Sequence, residues 1–342
     1  MKIIITLLIS GFILTSTIAQ DTSNPGKYLS SITNEINPLE KEVFQYMRVG
    51  AKSKSEKRIE KKRQELISEI KRIKQVMAGF TDYQDDSSLI DMANEFLTIY
   101  SSVIAEDFEN LVDMEAIKDQ SYDDLEAYMM ADKAANEKLE DASSKLTDAT
   151  QMFAEAHDIT LNMEQSSIGK KVEAAGEVIE YGNSLNLILA RLNFEEGYVI
   201  EAMNRNDING MQQHMNSMKS FVEEESAKLN EIGGFKGDTK LKYAAKKLVD
   251  FYDQQVNKEL PKAVSFFLLS DEFQLKTEKI ESVKPKKRTN EMINEYNDLV
   301  NAYNKQLSVF NSINEKSNKN RDEYWNKWQD AREKFMSKHI PR

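Results

Sequence analysis

The chain has 342 residues, 30% of them charged, a net charge of −11 at pH 7 and no cysteine. The missing cysteine closes disulfides and thiolate metal sites, and the acidic balance argues against nucleic acid as a partner, because neutralising phosphates takes a basic face. Prolines and glycines are few (5 and 12), straight-chain helix formers abound and alternating β-branched runs are nearly absent after the start, so the expected class is all-α.

The first residues read MKIIITLLISGFILTSTIAQ. Lys2 gives a positive start, Ile3 to Leu14 an apolar core, and Ser16 to Gln20 a small-residue exit. This is the pattern of a secretory signal peptide over residues 1–20, too short to span a membrane as a helix and with no stop-transfer segment after it. The expectation is an exported protein, periplasmic or at the cell surface or secreted, with no integral membrane segment once the signal is removed. No cysteine is present for lipid attachment.

Asn24-Pro25-Gly26 is a turn before a first helix, expected over Tyr28 to Val49 and broken by Gly50. A second helix runs from about Ser53 to Met77, stopped by Gly79. The DYQDDSS loop leads to a third, Ser88 to Ile117. Ser121 caps a fourth, whose acidic first turn (Asp123, Asp124) suits the helix dipole. His157 to Thr160 begin a hinge. A long helix follows over Ser167 to Asn204, then a turn at Arg205-Asn206-Asp207 and a helix over Ile208 to Ile232. Another starts near Asp238 and is kinked or ended by Pro261, which removes a donor and clashes with the preceding turn. A short segment from Asp271 to Val283 precedes the Lys284-Pro285-Lys286-Lys287-Arg288 break. The last helix covers Thr289 to Lys338, about 75 Å at 1.5 Å per residue.

One phrase occurs twice. Gly79-Phe80 and Gly234-Phe235 each precede an Asp-bearing loop and then Leu, Ala, an apolar residue and Tyr at steps 0, 4, 7 and 11: Leu89, Ala93, Phe96, Tyr100 and Leu241, Ala245, Leu248, Tyr252. That spacing lays four side chains on one helix face. It predicts a duplicated antiparallel unit of three to four helices, giving two tandem bundles, residues 21–160 and 161–342.

Chemistry is sparse. The three histidines, His157, His214 and His339, form no Glu-x-x-His pair and no HExxH, so neither a di-iron bundle nor a zincin is indicated. Gly233 to Gly237 is a helix stop without the spacing of a phosphate loop. Asp82, Asp85 and Asp86 cluster, but the EF-hand positions for Gly and Glu hold Ser87 and Ala93. No constellation of acid, base or nucleophile stands out. The expectation is a protein that is not an enzyme, with no cofactor and no metal.

Charge is unevenly spread. Lys52 to Lys74 holds ten basic residues against four acids, a net +6, and Glu106 to Glu126 holds nine acids against Lys118, a net −8. Two readings follow. The helices lie near each other and offset their fields, or Lys57, Arg58, Lys61, Lys62 and Arg63 present a face to an anionic envelope polymer or lipid headgroup. In the last helix Met292, Tyr296, Leu299, Tyr303, Gln306, Phe310 and Ile313 follow heptad spacing until Ser317 and Asn320 interrupt it. They suit packing within the chain or a coiled-coil seam between chains. Met129, Met130, Met152, Met203, Met211, Met215 and Met218 supply adaptable side chains for a core or for an apolar slot.

The phrases NPGKYLSSI (Asn24 to Ile32), DMEAIKDQSYDDLEAY (Asp113 to Tyr128), GFKGD (Gly234 to Asp238) and KPKKRTNEMINEYNDLVNAYN (Lys284 to Asn304) occur in this order. Together they resemble a family of exported bacterial proteins called "surface protein" after a leptospiral member and common in Bacteroidetes-type bacteria. The likeness covers roughly Asn24 to Pro341. It implies an envelope location and brings no activity, cofactor or catalytic residue. The functional expectation is an exported, non-enzymatic helical protein that binds or scaffolds an envelope component or protein. The alternative is a carrier of a small apolar ligand in an interhelical slot.

Overall fold

Side-chain and proline chemistry at a few positions sets the helix boundaries. The structure, a computed structural model, describes residues 24–53, 55–115, 120–161 and 166–342. The expected signal peptide at 1–20 lies outside them. Asn24 accepts a hydrogen bond from the Gly26 amide at 2.8 Å and starts α1 (Pro25–Ile36). Pro38 then opens a separate helix, α2 (Pro38–Lys52). The single helix expected over 28–49 is therefore two, and Gly50 lies inside α2 rather than ending it. A proline interrupts the donor ladder outright, whereas an interior glycine costs only about 1 kcal/mol, which α2 offsets by burying Leu39, Val43, Phe44, Tyr46 and Met47.

The later elements are α3 (Glu56–Met77), α4 (Ser88–Ser102), a π-turn (Val103–Asp107), α5 (Phe108–Glu115), α6 (Tyr122–Ala156), α7 (Ser167–Asn204), α8 (Ile208–Glu231), α9 (Lys240–Gln254), a second π-turn (Gln255–Glu259), α10 (Leu260–Ser282) and α11 (Asn290–His339). The fold is all-α. Among the described residues the β-type pairings are two isolated bridges, Tyr83 with Asp86 and Phe235 with Asp238. Ser121 caps α6 by accepting from the Asp124 amide, and Asp207 caps α8 by accepting from Gly210. α10 is continuous where a break and a short segment were expected. Pro261 directly follows the second π-turn, inside an unbroken helical run from Lys240 to Ser282. The first π-turn forms without any proline, so Pro261 is accommodated by the second rather than causing it.

The chain packs as two compact units. One gathers residues up to Asn183 with Glu333–Arg342, and the other is Ser184–Arg332. The boundaries differ from the expected division at 160/161: they fall inside α7 and α11. Proximity to the His157 turn does not decide the matter, because each half of a long helix joins the core its own apolar face meets. In the first unit α4 packs on α6 and α3, and α2 on α3, burying Leu66, Ile70, Leu89, Phe96, Tyr100, Leu139 and Phe153. In the second, α8 packs on α9 and α10, burying Met218, Val222, Leu241, Leu248, Tyr252 and Trp328. Each such side chain contributes about 1.5–3 kcal/mol relative to exposure.

The two units repeat at one spacing. Tyr83 and Phe235, Asp86 and Asp238, Tyr100 and Tyr252, and the ends of the π-turns, Asp107 and Glu259, are all 152 residues apart (259 − 107). The bridges enclose matching turns with positive φ at both central residues, Gln84 and Asp85 in one, Lys236 and Gly237 in the other. This is the type I′ geometry. The counterpart of Phe235 is thus Tyr83, and the Gly79-Phe80 pair that suggested the repeat lies three residues out of register.

Candidate functional site

The π-turns are where the two units differ. Inserting one residue into a helix turn shifts the side chains that follow, and such bulges recur at functional sites. In the first unit the turn buries Val103 and Ile104, backed by Phe108 and Leu111. Two of its carbonyls are bonded by Arg63, whose Nη1 reaches the oxygens of Ile104 at 3.0 Å and Ala105 at 3.2 Å. At its end Asp107 pairs with Lys138 at 2.7 Å.

In the second unit the equivalent ground is polar and partly open. A cavity of about 390 Å³ lies beside the second π-turn, between α7, α10 and α11. Its lining is mixed: Glu196, Gln255, Glu259, Asn314, Ser317 and Arg321 are polar, and Met203, Leu260, Ala263, Phe267, Phe310 and Ile313 are apolar. The size is that of a small-molecule pocket, and the sites of helical bundles sit between facing helices in this way.

The polar lining is held by hydrogen bonds. Glu196, 2% exposed, accepts both Nε and Nη2 of Arg321 at 2.7 and 2.6 Å, a bidentate pair. Gln255 donates to the same carboxylate. Burial works against the Arg321 charge, but the bonds from Glu196 outweigh it and hold the guanidinium above its ordinary value. Beyond this pair, Trp325 donates to the Tyr252 hydroxyl at 3.0 Å, and burial, then the Glu196 charge, push that phenol well above its usual range.

Glu259 is arranged differently. It is 8% exposed and accepts from Ser317 and, at 2.8 Å, from Gln254. Both donors are neutral. Among the described residues no Lys, Arg or His pairs with it. The apolar lining is stiffened by the Phe310 ring, stacked on Phe266 at 4.7 Å and edge-on to Phe267 at 5.5 Å.

Of the residues expected to form an anionic-partner face, Arg63 is buried and does not belong to one, and Lys57, Arg58 and Lys61 are exposed on α3. Lys61 stands 3.8 Å from Glu65, and Lys62 bonds Glu65 at 2.5 Å and Gln45 at 2.8 Å. Arg63 is 6% exposed and turned onto the first π-turn, also gripping Glu60 with two nitrogens, so it cannot meet an external partner. The reason is its register with Leu66, Ile67 and Ile70 on the buried side of α3. Of the acidic run, residues 116–119 and the side chains of Val112, Asp113 and Glu115 lie outside the described residues, as does Lys54 of the basic run.

Of the methionines, Met203 lines the cavity, Met211 and Met218 are buried core and Met215 packs beside Met211, while Met130 and Met152 are exposed. The heptad aromatics of α11 are engaged within the chain: Phe310 on Phe266, Tyr303 on Phe273 at 4.5 Å and Tyr296 on Phe273 at 6.0 Å. His157 bonds Asp86 at 3.2 Å, and Asp86 also accepts from the amide and hydroxyl of Ser88. Its carboxyl is held below the usual range by the Ser88 bonds first and His157 after them. Asp86 thus serves the start of α4, and no group of three or more His, Asp or Glu placed for a metal occurs among the described residues.

Compared with known proteins, the chain matches no family, no curated relative and no solved structure. Sequence reasoning missed Glu259, Gln255 and Arg321. The signal was available: Ser317 breaks the apolar heptad of the last helix, and a polar residue at a core position needs a buried polar partner.

Proposed function

We infer that this chain is an exported, non-enzymatic helical binding protein of the bacterial envelope, and that it carries a small molecule in the slot of its second unit. The observation that carries the reading is the cavity of about 390 Å³ with a mixed apolar and hydrogen-bonding lining. Export rests on the signal-peptide pattern at 1–20, and envelope location on the family resemblance. We infer further that the units arose by duplication of one helical unit. The common spacing of turns, π-turns and buried tyrosines supports this, with the first copy filled and the second hollowed for a ligand.

The test is native mass spectrometry of the protein purified gently from its own host's envelope. The account expects a reproducible extra mass that leaves on denaturation and is absent from Ala263→Trp, which fills the slot. A bare wild-type chain contradicts it, and so does an extra mass retained by Ala263→Trp. Among the described residues no helix is long and apolar enough to cross a membrane.

A further inference from the structure

Glu259 and Asp107 end the two π-turns at the same place in the repeat. Asp107 is 27% exposed and still has a cation, with the Lys138 ammonium 2.7 Å from its carboxylate. Glu259 is more deeply buried, at 8% exposure, and has only neutral donors. A buried carboxylate without a countercharge is costly, the more so the drier its surroundings. Among the described residues the cation lining the cavity is Arg321, which is partly exposed and committed through two nitrogens to Glu196 and through a third to Asn318. What stands beside Glu259 instead is open volume walled by Leu260, Ala263, Phe267 and Phe310.

We propose that the ligand of this slot is a primary amine with an apolar body, whose ammonium pairs with Glu259 as Lys138 pairs with Asp107. The proposal rests on the carrier reading and names its ligand class. The two kinds of lining residue divide the labour. The carboxylate, with Ser317 bonded to it, receives the ammonium, and the apolar lining buries the chain or ring attached to it. Phe267 and Phe310 add aromatic faces, which attract cations. A bare metal ion would leave the apolar lining wet and the oxygen ligands too few. An anion would meet an uncompensated carboxylate.

The experiment is isothermal titration of the full chain without its first twenty residues, at pH 7, with hexylamine, 1-hexanol and hexanoate. The expected order is hexylamine at least tenfold tighter than hexanol, with no binding of hexanoate. Glu259→Gln should bring amine and alcohol within about threefold of each other. Ala263→Lys, which places an ammonium one turn from Glu259, should abolish amine binding while raising Tm. Alcohol binding as tight as amine overturns the amine assignment and leaves the carrier reading standing. An amine preference retained by Glu259→Gln overturns the role of Glu259. Failure of all three probes to bind wild type overturns both readings.

Discussion

The first unit closes its π-turn with protein and the second leaves its π-turn open. In the first, aliphatic side chains fill the interior face, Arg63 bonds two of the carbonyls and Lys138 neutralises the terminal carboxylate. In the second, Gln255 stands where Val103 stands, a glutamate replaces the aspartate, and a cavity occupies the space. The same backbone insertion therefore serves two ends. A π-turn does not by itself make a cavity; it loosens side-chain register enough for one unit to be filled and the other to be left open. The difference lies in side chains, with the π-turn ends of the two units kept at one spacing.

The largest expected effect comes from breaking the pair between buried Glu196 and Arg321 in the second unit. Arg321→Met leaves Glu196 charged and unpaired at 2% exposure. It should destabilise the protein by roughly 3–5 kcal/mol in urea unfolding. Lys138→Met in the first unit removes the cation from a carboxylate in partial contact with water. It should cost less than about 1 kcal/mol. Equal losses would show that the two π-turns are electrostatically alike, against the contrast drawn above.

Asp132, on α6 of the first unit, adds a pH dependence. Burial lifts its carboxyl to about 7 from 3.8, with a bond from Asn136 opposing the rise. Between those two values the folded protein holds a proton that the unfolded chain has lost. Its stabilising contribution is complete below about pH 4 and is lost as pH rises through about 7. Asp132→Asn should flatten that part of the stability curve and raise stability at pH 8 by roughly 2–4 kcal/mol. Unfolding midpoints of the two proteins across pH 4 to 8 check it, and parallel curves contradict it.

The smallest effect separates the two type I′ turns. Asp85 takes φ 70 with a Cβ, while its counterpart Gly237 takes φ 86 without one. Asp85→Gly should stabilise the first unit, and Gly237→Asp destabilise the second, by about 1 kcal/mol each. Thermal melts that move in the same direction would show that the turns are not equivalent.

Much of the fold was legible because it is written in local signals. Ser121, Asp207 and Pro25 announce helix starts, and Leu89, Ala93, Phe96 and Tyr100 announce a buried face at helical spacing. Pro38 was as plain a signal as these and weighs more than Gly50, since a missing donor outranks a flexible backbone. The register of the repeat was less legible. Gly-Phe is a conspicuous pair, but the bond between Tyr83 and Asp86 that matches Phe235 with Asp238 is a backbone bond, and a sequence does not display those. The site was hidden for a further reason. Glu196, Glu259 and Arg321 come from three separate segments of the chain, and their hydrophilic residue types read as surface until packing buries the two glutamates and draws Arg321 onto Glu196. The basic run was legible only in part: Lys57, Arg58 and Lys61 are exposed, but Arg63 points inward and Lys62 is paired along its own helix.

The most direct test of the slot is a crystal structure of the protein soaked with hexylamine. The account predicts the amine nitrogen within hydrogen-bonding distance of the Glu259 carboxylate, its chain along Leu260 and Phe310, and Lys138 still on Asp107. A slot that stays free of amine while the amine settles elsewhere, or a nitrogen turned away from Glu259, would contradict it.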